Sequence, residues 1–179
     1  MRRVTSLLVL AALTAWPQAP GRRAPGLAEV SFARGAPEPL AIVVNVSNPI
    51  DDLSSAALRT IFLGTRSHWS DGKRITLVMR DPGDPERKVL LREVCGMTEG
   101  QLKTHFIRGL YTGEILSSPK ILSTPAGVRK FVFNVPGAIG YLRLSDVDAS
   151  VKVVHIDSLL PAEKGYKLRV FDQERGPGE

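Results

Sequence analysis

Runs of apolar residues along the chain alternate between the spacing of strands and the spacing of helices. Residues 41–46 are mostly β-branched and predict a strand. Residues 75–79 are mostly apolar and predict a strand that is covered on both faces. Two later segments, 138–143 and 151–156, have the same strand character. The first three of these strands are separated by segments with helical spacing, which indicates an alternating α/β chain.

Four helices are predicted from apolar spacing and from residues that are typical of helix ends. The predicted inward faces consist of Leu58, Ile61, Phe62, Val89, Leu90, Val94, Leu102, Phe106, Leu110, Val128, Phe131, Val132 and Val135. The predicted start signals are Ser54 or Ser55, Pro85, the capping-box pattern at 98–101, and Thr124 with Pro125, and the predicted end signals are Gly64 and Gly96. Segment 111–123 contains Gly113 and Pro119 and is predicted to be a loop.

This alternation predicts a mainly parallel sheet flanked by helices. The loop at 65–73 contains Trp69, which we expect to pack on the core and fix the loop. In open α/β sheets, ligands bind outside the carboxyl ends of strands, near helix N-termini. Arg80 follows the strand at 75–79 and Pro85 opens the next helix, so segment 80–87 is the first place to expect a site.

Several of these segments resemble the phosphate-binding protein of bacterial ABC transporters. The motifs that carry the resemblance are Leu53-Ser54, IFLG at 61–64, WSDG at 69–72, the strand with Arg80 at 75–80, and PGAIGY at 136–141. The resemblance covers about residues 41–141 and implies one lobe of the two-lobed, type II periplasmic-binding-protein fold. Because the first lobe of that family has no counterpart in this sequence, the chain resembles a short, single-lobe member.

The resemblance also implies a ligand site for a small, phosphate-like oxyanion, with Arg80, Gly83 and Arg87 as its candidate residues. A guanidinium presents a planar fork of donors that matches an oxyanion. In the family, this arginine is followed by Ser, Gly and Thr that hold the anion, whereas the aligned positions here are Asp84, Pro85 and Glu86. Two carboxylates oppose an anion and proline has no N–H to donate. The alternative is that Arg80 pairs with Asp81, Asp84 or Glu86, as surface arginines commonly do.

The N-terminal segment is typical of a secretory signal peptide. Arg2 and Arg3 precede an apolar run at 4–16, which is too short to span a bilayer. We expect cleavage after Ala28, with Ala19 as the alternative. The expected organisation is then a signal peptide at 1–28, an irregular lead-in at 29–40, a binding-protein-like domain at 41–172 and a disordered tail at 173–179. This organisation predicts a periplasmic or secreted protein.

The net charge changes once the leader is considered. The chain has 24 basic and 18 acidic residues and a net charge of +6. Four of the basic residues and none of the acidic ones precede Glu29, so 20 basic against 18 acidic residues leave +2 in the rest. This small excess argues against a nucleic-acid partner, which needs a basic face.

Residues that could carry catalysis or bind metal are scattered in the sequence. The three histidines have no neighbour at metal-ligand spacing, and neither a G-x-S-x-G motif nor a P-loop occurs. Cys95 is the single cysteine and is expected to be a buried, inert thiol. We therefore expect no enzyme activity, no metal and no cofactor.

Two functions remain open at this point. The first is an exported solute-binding domain that binds an oxyanion weakly and presents it to a membrane transporter. The second is a periplasmic interaction or sensor-accessory module that kept the fold and lost the ligand. The acidic residues after Arg80 favour the second, and a shared fold does not decide between them.

Overall fold

The computed structural model describes residues 36–171, and its strands and helices follow the apolar runs of the sequence. The elements are β1 (Glu38–Asn45), β2 (Asp52–Leu53), α1 (Ser55–Phe62), β3 (Thr76–Arg80), α2 (Pro85–Leu90), α3 (Glu99–Thr112), β4 (Lys120–Leu122), α4 (Pro125–Asn134), β5 (Ala138–Arg143), β6 (Val151–Val153), β7 (His155–Ile156) and β8 (Arg169–Val170). A π-helical turn continues α2 over Leu91–Cys95, and a 3₁₀ turn follows β5 over Leu144–Asp146. Among the described residues, no helix is both long enough and apolar enough to cross a bilayer.

The central sheet has the strand order β4-β3-β5-β1-β6, and β8 also pairs with β1. Strands β4, β3 and β5 are mutually parallel, whereas β1 is antiparallel to β5, β6 and β8. Five strands therefore run in one direction and only β1 runs against them. The predicted α/β class with a mainly parallel, helix-flanked sheet is confirmed. Strands β2 and β7 form a separate parallel pair.

The two faces of the sheet are covered by different helices, and strand periodicity divides the core between them. On β1, Ile42 and Val44 belong to the larger cluster, which includes the buried residues of α1, α2 and α3. The alternate residues Ala41 and Val43 belong to the smaller cluster with Val128 and Val132 of α4. Both faces of β1 are thus buried, as its uninterrupted apolar run requires.

The predicted helix ends are largely confirmed. Ser54 and Thr124 cap α1 and α4 through their side chains, and Thr98 with Gln101 forms the capping box of α3. Gly64 and Gly96 have φ of +74° and +62°, in the left-handed region that glycine adopts without strain.

Several boundaries differ from the sequence-based prediction. Strand β1 begins at Glu38, inside the predicted lead-in, because Glu38 and Pro39 pair with β8 near the end of the chain. The predicted strand at 151–156 is divided into β6 and β7, which belong to different sheets. The predicted loop at 111–123 contains β4, and α3 extends to Thr112. Leu110 is 39% exposed rather than inward-facing.

The predicted anchor Trp69 is confirmed by its burial. Its side chain is 3% exposed, and its indole N–H donates a hydrogen bond of 3.0 Å to the carbonyl oxygen of Gly137. Gly137 has no room for a side chain, since a Cβ there would lie 2.0 Å from the carbonyl oxygen of Arg74. The WSDG loop and the PGAIGY segment therefore fit each other as one packed contact before β5.

We predict that Trp69→Ala lowers the free energy of unfolding by about 3–5 kcal/mol, as deletion of a large buried aromatic side chain does. Trp69→Phe keeps most of the volume and loses only the buried hydrogen bond, so it should cost about 1–3 kcal/mol. Phe133, which is half-exposed on α4, provides the matched control, and Phe133→Ala should cost less than about 1 kcal/mol. Urea denaturation measures all three, and a loss below about 1 kcal/mol for Trp69→Ala would contradict the anchoring role.

Candidate functional site

The carboxyl ends of β3 and β5 bring three arginines to one edge of the sheet. Arg80 is the last residue of β3, Arg143 is the last residue of β5, and Arg87 lies in the first two turns of α2. The start of β1 also lies at this edge, because β1 runs antiparallel to β5 and pairs Leu40 with Arg143. The sequence-based choice of segment 80–87 therefore falls at the edge where α/β sheets bind ligands.

Arg87 is buried, and each nitrogen of its guanidinium donates a hydrogen bond within the chain. Its Nε and Nη2 donate to the two carboxylate oxygens of Glu99 over 2.8 and 2.5 Å, in the bidentate geometry that makes arginine pairs strong. Its Nη1 donates to the carbonyl oxygen of Arg80 over 2.6 Å. The side chain thus holds α2 against β3 and the start of α3. Sequence reasoning placed Arg87 in the site but missed Glu99, which is distant along the chain and was identified only as part of a capping-box segment.

Arg143 is held by two carboxylates from other elements. Its Nε donates to Glu86 over 2.5 Å, and its Nη1 lies 3.3 Å from Glu38. Glu86 is itself buried, which is uncommon for a glutamate unless it is paired. Nearby, burial and the charge of Glu38 raise the pKa of Asp146 above its ordinary value. Neither Arg143 nor Glu38 was selected from sequence, because their contact spans more than 100 residues.

Arg80 is the predicted site residue whose guanidinium has nitrogens without a hydrogen-bond partner among the described residues. Its Nη2 lies 2.9 Å from Oδ2 of Asp84, close enough for an ion pair but not aligned as a hydrogen bond. Its Nε and Nη1 are buried and have no hydrogen-bond partner within residues 36–171. Its backbone N–H donates to the hydroxyl of Tyr141, whose pKa is raised by burial. Such unsatisfied buried donors are rare in proteins and call for an explanation.

Gly83 occupies a separate position. It adopts φ of +96° in the turn between β3 and α2, with open space where a side chain would be. It lines an open groove of about 720 Å³ together with Lys88, Met97 and Glu99. Neither Arg80 nor Arg87 lines this groove. The structure therefore brings Arg80 and Arg87 together and leaves Gly83 facing a different surface.

The helix N-terminus beside Arg80 offers few donors to an anion. Asp84 is the N-cap of α2 and Pro85 is its first residue, so the first helical position has no N–H. The Asp84 side chain makes no capping hydrogen bond and contacts Arg80 instead. A carboxylate of the chain thus lies against the guanidinium at the position where an external anion would compete for it.

The cysteine is buried, and each of the three histidines contacts a neighbouring group of the chain. Cys95 is fully buried, and this burial raises the pKa of its thiol to about 11, which makes it a poor nucleophile at neutral pH. His105 and His155 contact the backbone carbonyl oxygens of Leu63 and Asp51 through a ring nitrogen. Within residues 36–171, no group of three His, Cys, Asp or Glu side chains is arranged to hold a metal ion.

We predict that Arg87→Lys lowers the free energy of unfolding by about 1–3 kcal/mol, because an ammonium group cannot span both oxygens of Glu99 and the carbonyl oxygen of Arg80. Arg92 lies one helical turn and one residue further on, is largely exposed and pairs with the adjacent Glu93. Arg92→Lys is therefore the matched control and should change stability by less than about 0.5 kcal/mol. Equal losses of stability for both variants would contradict a special contribution of the buried hydrogen bonds of Arg87 to Glu99 and Arg80.

Comparison with known proteins gives a consistent fold. A family model for a PBP superfamily domain matches residues 14–168. The chain is similar to a protein from Clostridium perfringens described as a phosphate ABC transporter substrate-binding protein with bound phosphate, with a TM-score of 0.63 and 23% identity over 76% of this chain and 54% of that one. It is also similar to an ABC-type phosphate transport receptor from Vibrio cholerae, with a TM-score of 0.60 and 22% identity over 78% and 57% of the two chains.

A third similar structure is PstS from Borrelia burgdorferi, with a TM-score of 0.62 and 13% identity over 78% of this chain and 57% of that one. At these identities the likeness establishes the fold. The chain spans between 54% and 57% of the length of the three proteins. The resemblance seen in the sequence motifs is thereby confirmed at the level of family and fold.

Proposed function

The chain belongs to the PBP superfamily, and on that premise we propose that it is an exported solute-binding-type domain with a weak site for small oxyanions at Arg80. The observation that carries the proposal is the buried guanidinium of Arg80, whose Nε and Nη1 find no hydrogen-bond partner in the part of the chain that the structure describes. Two adjacent N–H groups of a guanidinium match two oxygens of a phosphate-like anion, so an anion bound in this way would use Nε or Nη1 together with Nη2, the nitrogen beside Asp84. The phosphate-binding neighbours support this choice of ligand class.

The weakness of the proposed site follows from its charges. Asp84 lies 2.9 Å from Arg80 and must move away from it, or tolerate the anion's charge, before an oxyanion can bind. Arg87 and Arg143 are already neutralised by Glu99, Glu86 and Glu38 and offer no surplus charge. One charge-assisted contact contributes about 1.5–3 kcal/mol net, whereas millimolar affinity already needs about 4 kcal/mol.

We predict a phosphate dissociation constant no tighter than about 1 mM for the protein, measured by titration calorimetry. Asp84→Asn removes the competing charge and should tighten binding about tenfold, and Arg80→Ala should abolish binding. Asp81→Asn makes the same charge change in the same turn, outside the ion pair of Arg80 with Asp84, and should have a smaller effect than Asp84→Asn.

Two results would overturn this assignment. Micromolar binding by the unmodified protein, abolished by Arg80→Ala, would show a full transport-type site. Absence of phosphate binding in Asp84→Asn as well would show that Arg80 is not an anion site. The second result favours the alternative function, in which the domain is a periplasmic interaction or sensor-accessory module without a ligand. The observation behind that alternative is that carboxylates of the chain itself contact all three arginines.

We predict that the exported protein loses its leader and begins near Glu29. This expectation rests on the charged and apolar pattern at 2–16, which lies outside the described residues. Intact-mass analysis of protein from a periplasmic extract measures the N-terminus directly. Unprocessed, full-length protein in the cytosol would contradict export and, with it, a membrane transporter or sensor as the partner.

A further inference from the structure

Helix α3 carries a stripe of apolar side chains that face away from the core. Ile107 is 59% exposed, Leu110 is 39% exposed and Tyr111 is 93% exposed. Their spacing of i, i+3 and i+4 places them on one side of the helix. The opposite side is already used, because Leu102 and Phe106 are buried in the core. We call the set of Ile107, Leu110 and Tyr111 the outer stripe of α3.

The size of the outer stripe distinguishes it from scattered surface hydrophobes. Its three side chains expose roughly 300–400 Å² of mainly apolar surface, the size of the largest apolar patch on a typical monomer, which is often functional. Tyrosine is also among the residues enriched at the centres of protein interfaces. The stripe lies on α3, away from Arg80 and from the Arg87–Glu99 pair. Glu99 is the first residue of this helix. The stripe is therefore independent of the oxyanion site.

We propose that the outer stripe of α3 is a homodimer interface, in which the α3 helices of two copies pack antiparallel about a two-fold axis. In such an isologous contact, the same surface must be complementary to itself. With the axis near Arg108, Ile107 of one copy faces Leu110 and Tyr111 of the other. An apolar stripe that is centred on the axis satisfies this requirement by packing against its own copy.

A positive and a negative side chain at the two ends of the stripe also make the surface complementary to its own copy. Lys103 lies one turn before Ile107 on the same side of α3, and Glu114 follows the helix immediately after its C-cap, Gly113. Both are exposed, and neither forms an ion pair with another described residue. Antiparallel packing about Arg108 brings Lys103 of each copy close to Glu114 of the other. The arrangement therefore supplies two opposite-charge pairs, whereas a parallel arrangement would place like charges together.

The expected dimer is weak. The stripe and its flanking charges would bury on the order of 1,000 Å² in total, near the lower limit of specific interfaces. We therefore expect dissociation in the micromolar range, with dimers at high protein concentration and monomers on dilution.

Sedimentation equilibrium tests the proposal. The sample is the protein expressed from the full chain, and intact-mass analysis establishes which residue forms its N-terminus. Tyr111→Ser and Ile107→Ser should each weaken dimerisation at least tenfold. Phe133→Ser, a half-exposed apolar residue on α4, is the matched control and should leave it unchanged. Circular dichroism checks that each variant keeps its helix content.

A charge-swap series separates self-association from other contacts. At low salt, Lys103→Glu and Glu114→Lys should each weaken the dimer about three- to tenfold, and the double variant should restore it to within about twofold. Three results would overturn the proposal: a monomer at the highest soluble concentration, a dimer insensitive to Tyr111→Ser, or a double swap that is weaker than either single swap. Dimerisation that depends on the stripe and leaves phosphate binding unchanged would separate this inference from the proposed oxyanion site.

Discussion

The buried guanidinium of Arg87 is the contact through which the edge of the sheet is assembled. Its side chain belongs to α2. It donates hydrogen bonds to the carbonyl oxygen of Arg80 at the end of β3 and to Glu99 at the start of α3. A buried charge is tolerated only when it is paired and hydrogen-bonded, and here every nitrogen of the guanidinium has a partner. The same contact fixes the path of the chain after Arg80 and thereby sets where the Arg80 side chain can lie. The position of the proposed oxyanion site therefore depends on the hydrogen bonds of Arg87.

The remaining charges at this edge follow the same rule. Arg143 is held by Glu86 and Glu38, and Arg80 is approached by Asp84, so each positive charge has a carboxylate from the chain itself. Among residues 36–171, only Arg80 combines a buried guanidinium with nitrogens that have no hydrogen-bond acceptor in that part of the chain. In the proposed oxyanion site, an external anion would therefore compete with an internal carboxylate for one guanidinium. An internal carboxylate is always present at high effective concentration, whereas the external anion must be bound from solution.

The main elements could be predicted from sequence because each has a strong local signal. The apolar runs predicted β3 and β5 to within a residue or two. Candidate caps at Ser54 or Ser55, at Thr98 and at Thr124 marked the starts of three helices, and the cap of the first is Ser54. Trp69 was correctly identified as an anchor because a lone tryptophan in a polar loop usually packs inward. These features depend on residues that are close together along the chain.

Contacts between distant residues could not be predicted in this way. The short strands β2, β7 and β8 have only two residues each and exist because of their pairing partners. The extension of β1 to Glu38 depends on β8, and the split of segment 151–156 depends on two different sheets. At the site, Arg80 and Arg87 were identified from their position after a strand. The carboxylates Glu38 and Glu99 were missed, because a charged residue gives no sequence signal for the arginine it will meet.

The most direct measurement is a crystal structure of the protein grown from concentrated phosphate. The account predicts that Arg87 keeps both hydrogen bonds to Glu99 and that phosphate contacts Arg80 alone, at the position for which Asp84 competes. A fully occupied phosphate held by both Arg80 and Arg87, with Asp84 and Glu99 turned away, would contradict it. Such a result would show that the ligand displaces the carboxylates of the chain from these arginines.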